Sequence, residues 1–244
     1  MIRLIRSELH KVKWPVVLLL MLMDMGASFA LAADSVRRQA DFFAPNWFTL
    51  YFQAVSFHGL FFLPLFAGLF AAFLCFSEHK HNAWKIMLTL PYSRQRVYAA
   101  KLAALLLLLA LLQLLFCAAY LLTGMFIQVE GSLPWRTVLY GAAGGWLCVF
   151  PLSALLLYLA TRLKSFGAAL LFSFSMVVPN IVLTGLTSVL GAWFPAAPPY
   201  YAMFPQGINL SPQLDSLPFA GIVAFTFALY LTAGIRSFVR RDWG

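Results

Sequence analysis

The residues able to do chemistry in this 244-residue chain are few and scattered. Glu78, His79 and His81 set a carboxylate and two imidazoles within four positions, and both side-chain types ligate zinc. His-x-His is only a two-ligand fragment, however, and its position beside an apolar run explains its polarity without a metal. No His-Glu-x-x-His and no Gly-x-Ser-x-Gly occurs, and the apolar runs hold no convergent His, Asp or Cys cluster. An enzyme is therefore not expected, and neither a catalytic nor a metal residue is assigned. The phosphate loop Gly-x-x-x-x-Gly-Lys-[Ser/Thr] is also missing, so no nucleotide is cradled by that motif. Cys75, Cys117 and Cys148 all lie in apolar runs, where thiols behave as small hydrophobes, and no disulfide framework follows.

Asp24 is the exception. It lies about ten residues into an apolar run, about 15 Å along a helix, where an ionised and lipid-facing carboxylate costs at least about 2.5 kcal/mol. It must face protein or water. A structural or cavity-lining role is expected, with Asn180 as a polar companion. The alternative is a proton relay in an ion-gradient carrier, which would more often show paired intramembrane ionisable groups and repeated halves; neither is evident.

The elements that hold these residues follow from composition. Hydrophobic residues make up 62% of the chain and charged ones 10%, with a mean hydropathy of +0.84. No core of ordinary size hides so much apolar surface, and the uncharged runs exceed the roughly 20 residues a bilayer-crossing helix needs. They lack the period-two alternation of a barrel strand. An all-α polytopic membrane protein is predicted, as a single transmembrane domain over 1–244, with spans at 14–33, 47–76, 102–127, 137–161, 167–190 and 218–236. Six spans put most Lys and Arg on one side, leaving Arg37, Arg38 and Arg136 on the other. Basic loops stay cytoplasmic, so both termini are expected there, in a bacterial inner or plasma membrane. The net charge of +9 then records topology, and a nucleic-acid partner is not expected.

The basic start, the apolar run and Ala30-Leu31-Ala32 imitate a signal peptide. Asp24 interrupts the apolar region, and losing this span would put the bases on mismatched sides, so a retained first helix is expected. Before it, Ile2, Ile5, Leu9 and Val12 recur at helical spacing with bases on other faces, which predicts an interfacial helix over 1–13.

Between the second and third spans lies Glu78-His-Lys-His-Asn-Ala-Trp-Lys-Ile-Met-Leu-Thr-Leu-Pro-Tyr-Ser-Arg-Gln-Arg-Val-Tyr-Ala-Ala-Lys101. Trp84, Met87, Leu88 and Leu90 form a short apolar stripe, Pro91 breaks it, and Ser93 is placed to cap a new helix. That is more apolar surface than a simple connection needs. The segment resembles the one following the second span in ABC-2-type transporter permeases, especially lantibiotic-immunity and bacitracin-resistance permeases. Those have a Glu, a Gly-Thr-Trp-Lys-like stretch, then Leu-Thr-Leu-Pro-Val-Ser-Arg and a Lys; here Asn82-Ala83 and Tyr92 differ. The resemblance implies a cytoplasmic coupling segment over 78–101 that docks on a separate ATPase, with Glu78, Trp84, Lys85, Pro91, Ser93 and Arg94 in that role. It implies ATP and Mg on that partner and no cofactor in this chain. It also implies a second permease protomer, identical or related, and an amphiphilic cargo taken from the membrane: an antimicrobial peptide first, a lipid second.

Residues 191–217, rich in proline and aromatics, are expected to be non-helical and to cap the outer mouth; the resemblance makes them gate-like. Gly141 and Gly145 permit close packing without locating a dimer interface. Pro64, Pro151 and Pro179 are expected to kink the second, fourth and fifth spans.

Overall fold

The structure is a computed structural model and describes residues 1–38, 45–80, 92–163, 165–186, 188–205 and 215–241. It is all-α: no strand occurs among the described residues, only an isolated bridge between Asn46 and Glu130. The helices are α1 (Ile2–His10), α2 (Trp14–Arg38), α3 (Trp47–Phe57), α4 (Leu63–Lys80), α5 (Arg94–Phe126), α6 (Trp135–Cys148) and α7 (Phe150–Arg162). They continue as α8 (Phe166–Ser175), α9 (Val177–Leu186), α10 (Ser188–Trp193), α11 (Pro198–Met203) and α12 (Ser216–Arg240). Six stretches among the described residues are long and apolar enough to cross a membrane: Trp14–Arg38, Trp47–Phe76, Arg94–Phe126, Trp135–Arg162, Phe166–Gly185 and Ser216–Arg240.

Helix starts follow local chemistry. Asn46 accepts the backbone N–H of Thr49 at 2.9 Å to open α3, and Ser93 accepts that of Arg96 at 3.4 Å to open α5. As expected of a Ser93 cap, α5 begins at Arg94 and runs on through the third span. Its 33 residues are about 50 Å long, well beyond a hydrocarbon core of about 30 Å.

Each expected proline kink is an interruption with a traceable cause. Proline lacks an N–H, so the carbonyl four residues earlier loses its helical donor. Ahead of Pro64 the chain takes a π-helical turn over His58–Phe62, in which the Leu63 N–H reaches back to the His58 carbonyl. Leu60, four residues before Pro64, has its carbonyl satisfied instead by the Asn180 side-chain amide at 2.9 Å. The helix likewise breaks at Val149 before Pro151 and at Met176 before Pro179.

The core lies where α2, α3 and α5 meet. Phe29, Tyr51, Phe116 and Tyr120 are buried there, with Phe29 and Phe116 centroids 5.3 Å apart and Tyr51 and Tyr120 5.7 Å apart. Packed beside it are α4 against α7 and α8, α12 against α7, and α11 against α6. The two ends differ. At one, here the basic end, α1 meets the ends of α4 and α5, and Arg94 donates to the carbonyls of Val239 and Arg241 at 2.8 and 3.1 Å. At the other, the aromatic end, Tyr120 donates to the Trp47 carbonyl at 2.7 Å and Tyr51 to that of Met203 at 2.9 Å.

The region 191–205 corrects an expectation: it is helical over Pro198–Met203, after a short helix ending at Trp193. Pro198 and Pro199 occupy the first turn, where a missing N–H has no helical acceptor to lose. Residues 206–214 lie outside the described residues. The glycine face of α6 is used inside the protomer, since a Cβ at Gly141 would meet Tyr51 Oη and one at Gly145 the Met203 side chain.

Candidate functional site

At the basic end four charges meet. Lys101, 0% exposed, donates to Glu8 Oε2 at 2.7 Å, to Glu78 Oε1 at 2.9 Å and to the Leu74 carbonyl at 2.7 Å. Three acceptors match the three N–H bonds of an ammonium. Lys11 adds contacts to Glu8 Oε1 at 2.8 Å and Glu78 Oε1 at 2.9 Å. Two carboxylates and two ammoniums balance, which is what makes burial of charge tolerable. The elements explain the meeting. Glu8 shares the α1 face of Ile5 and Leu9, which packs on α5 with Val12 buried just beyond the helix, so that face is turned to protein and carries an acid. Glu78 ends α4, and Lys101 sits two turns into α5. Both stems of segment 81–91 are thereby tied to α1.

Burial alone would raise the Glu78 carboxyl, but the charges of Lys101 and Lys11 outweigh it and hold it at about 2, below its ordinary 4.5. A depressed carboxylate contributes stability that is fully present above about pH 4.5 and is lost as the pH falls through about 2. Protection of the α1 amides, taken relative to the intrinsic exchange rate at each pH, should therefore be constant from neutral pH to about pH 4.5 and fall towards pH 2. A Glu78→Gln protein should lack that acid-dependent step. Equal protection of wild-type α1 at pH 7 and pH 2 would refute the linkage.

Around the cluster, side chains stitch the helix ends together. His79 Nε2 bonds the Ala160 carbonyl at 2.9 Å, Arg241 donates to the Thr161 carbonyl at 2.7 Å, and Arg162 to Ser237 Oγ at 2.7 Å. Burial pushes the His79 imidazole down from its ordinary value. Of the residues expected in the coupling segment, Glu78 is in the ion cluster and Ser93 is a helix cap. Arg94, half-buried, is engaged with the end of α12. Trp84, Lys85 and Pro91 lie outside the described residues, as does His81.

The second cluster is deep in the bundle. Asp24 accepts from Ser28 Oγ at 2.9 Å and from His58 Nδ1 at 3.0 Å through Oδ2, and all three residues are fully buried. The His58 ring stacks on Phe116 at 4.8 Å, and its Nε2 has no hydrogen-bond partner among the described residues. Asn180 is buried too, but it bonds the Leu60 carbonyl rather than Asp24. Asp24 and Asn180 are therefore not hydrogen-bonded to each other; both converge on the π-helical turn His58–Phe62, and both are fully buried. Paired intramembrane ionisable groups, not evident in the sequence, are thus present as Asp24 and His58. The available signal was that His58 is the one histidine inside an uncharged run.

A family model described as ABC-2 family transporter protein matches residues 4–180, a stretch that holds both clusters. No curated protein matches the chain. With well over half of its length matched and six apolar spans, the chain belongs to the ABC-2 transporter family and is a multi-pass membrane permease subunit.

Proposed function

We propose that this permease is the membrane half of an ATP-driven exporter that moves an amphiphile out of the lipid, an antimicrobial peptide of the lantibiotic kind first and a lipid second. Two protomers, identical or related, would stand on two cytoplasmic ATPases that carry the ATP and Mg. Residues 78–101 would be the coupling segment, with Trp84, Lys85 and Pro91 on the docking side and Ser93 and Arg94 holding its second stem. The observation that carries this reading is the Glu8, Lys11, Glu78 and Lys101 cluster. Because both stems of the segment are joined through buried, hydrogen-bonded charges, a push on it is delivered to α1, α4 and α5 together. Permease purified from its native membrane should bring with it a subunit bearing a nucleotide-binding phosphate loop.

Orientation has its own test. Cysteines near Arg38, Arg136 and Asp215 should label from outside intact cells, and one near Arg94 should not; the reverse pattern would overturn the placement of both termini in the cytoplasm.

The buried Asp24 and His58 pair favours a second reading, a carrier driven by a proton gradient. For the exporter, Asp24→Asn should leave insertion intact and change transport only modestly, because the amide keeps a hydrogen-bonding partner for Ser28 and His58. Transport that vanishes in Asp24→Asn and follows the imposed pH gradient in the wild type would favour the carrier.

A further inference from the structure

Between α2 and α5, on the half of the bundle towards the aromatic end, lies a groove of about 530 Å³. Leu22, Gly26, Ala30 and Ala33 floor it from α2, and Leu122 and Phe126 wall it from α5. Its surface is apolar and open to lipid: Leu22, Leu122 and Phe126 are 59%, 69% and 85% exposed. A Cβ added at Gly26 would meet nothing within 4 Å. The volume falls in the range of small-molecule sites, about 300–1,000 Å³.

The mouth is charged. Asp34 and Arg37 line it, and Asp34 is already paired with Arg38 at 2.7 Å. Arg37 is exposed and makes no hydrogen bond or ion pair among the described residues, so one guanidinium is left facing the groove's end. From Leu22 to Arg37 α2 rises about 22 Å. One leaflet, half of a hydrocarbon core of about 30 Å plus its headgroup layer, has nearly that depth.

We infer that this groove binds a membrane phospholipid, one acyl chain lying along Leu22 to Ala33 and the phosphate on Arg37. The complementarity is specific in chemistry: an apolar channel one leaflet deep ends at a planar cation that is unpaired among the described residues, and its fork of N–H donors fits phosphate oxygens. The site depends only on the chain spanning a bilayer, not on the exporter reading.

The test uses the full-length permease in liposomes doped with phosphatidylglycerol carrying a diazirine on one acyl chain. Photolabel should concentrate on peptides covering 22–37 and 119–127. Gly26→Leu, whose Cβ meets nothing within 4 Å and whose isobutyl group occupies the groove, and Arg37→Gln, which removes the charge on an exposed side chain, should each lower that labelling about tenfold. A diazirine diacylglycerol lacking phosphate should label the groove no more than other lipid-facing surfaces such as Leu171 and Phe225. Wild-type labelling spread evenly over those surfaces, equal labelling by the two probes, or variants labelled like wild type would each overturn the site. So would a groove protected from label by a second copy of the chain.

Discussion

Lys101→Met is expected to destabilise the permease by about 3–5 kcal/mol, the scale of breaking a buried ion pair from one side. Lys101 is wholly buried, and Glu8 and Glu78 each place a carboxylate oxygen on it. Methionine matches the apolar stem of lysine as far as Cε and lacks only the ammonium, so most of the packing is kept while two carboxylates are left with Lys11, whose side chain is 36% exposed. The damage should be electrostatic, and its signature is repair by partner neutralisation. Glu8→Gln in the Lys101→Met background should recover part of the loss, because one fewer buried charge is then unpaired. Thermal unfolding in detergent reads both. A Lys101→Met protein that melts with the wild type, or a double variant no better than the single, would show that the cluster is not the joint described here.

The same cluster shows how far the chain could be read before folding. Six spans were visible because lipid offers no hydrogen bonds and an unpaired charge is expensive there, so charges mark the span ends by themselves. Ser93 was readable because a cap is a local pattern. Glu8 and Lys101, 93 residues apart, were not, because no periodicity encodes which buried acid meets which buried base. Glu8 did carry a hint, as an acid on the apolar face of Ile5 and Leu9. His58 escaped because a neutral imidazole does not break an uncharged run, and only the fold sets it 3.0 Å from Asp24. Asn180, expected as a polar companion of Asp24, bonds a backbone carbonyl instead. Its partner, the Leu60 carbonyl, is a backbone group freed by Pro64. Pro198 and Pro199 misled through composition, since two prolines argue against a helix except in its first turn.

Trp84→Ala carries the other large expected effect. The sequence spacing of Trp84, Met87, Leu88 and Leu90 is that of an apolar stripe, and the described stems on either side are anchored by Glu78 and Ser93. A tryptophan at the centre of a docked surface is a binding hot spot, worth about 2 kcal/mol or more on truncation, which is about thirtyfold in affinity. Glu78→Ala has a different signature, because its carboxylate is turned to Lys101 and Lys11 rather than to a partner. That change should loosen the stems, so the ATPase still binds while hydrolysis no longer responds to cargo. A tryptophan that only anchors the loop at the headgroups would alter stability and leave recruitment of a soluble subunit unchanged.

The central claim is that residues 78–101 join this permease to a separate ATPase, and the paired measurement on one preparation tests it most directly. ATPase retained on the purified permease is quantified alongside cargo-stimulated ATP hydrolysis in liposomes, for wild type, Trp84→Ala and Glu78→Ala. The account predicts that Trp84→Ala loses most of the retained ATPase and that Glu78→Ala keeps it but loses the stimulation. Wild-type values for both quantities in both variants would contradict it.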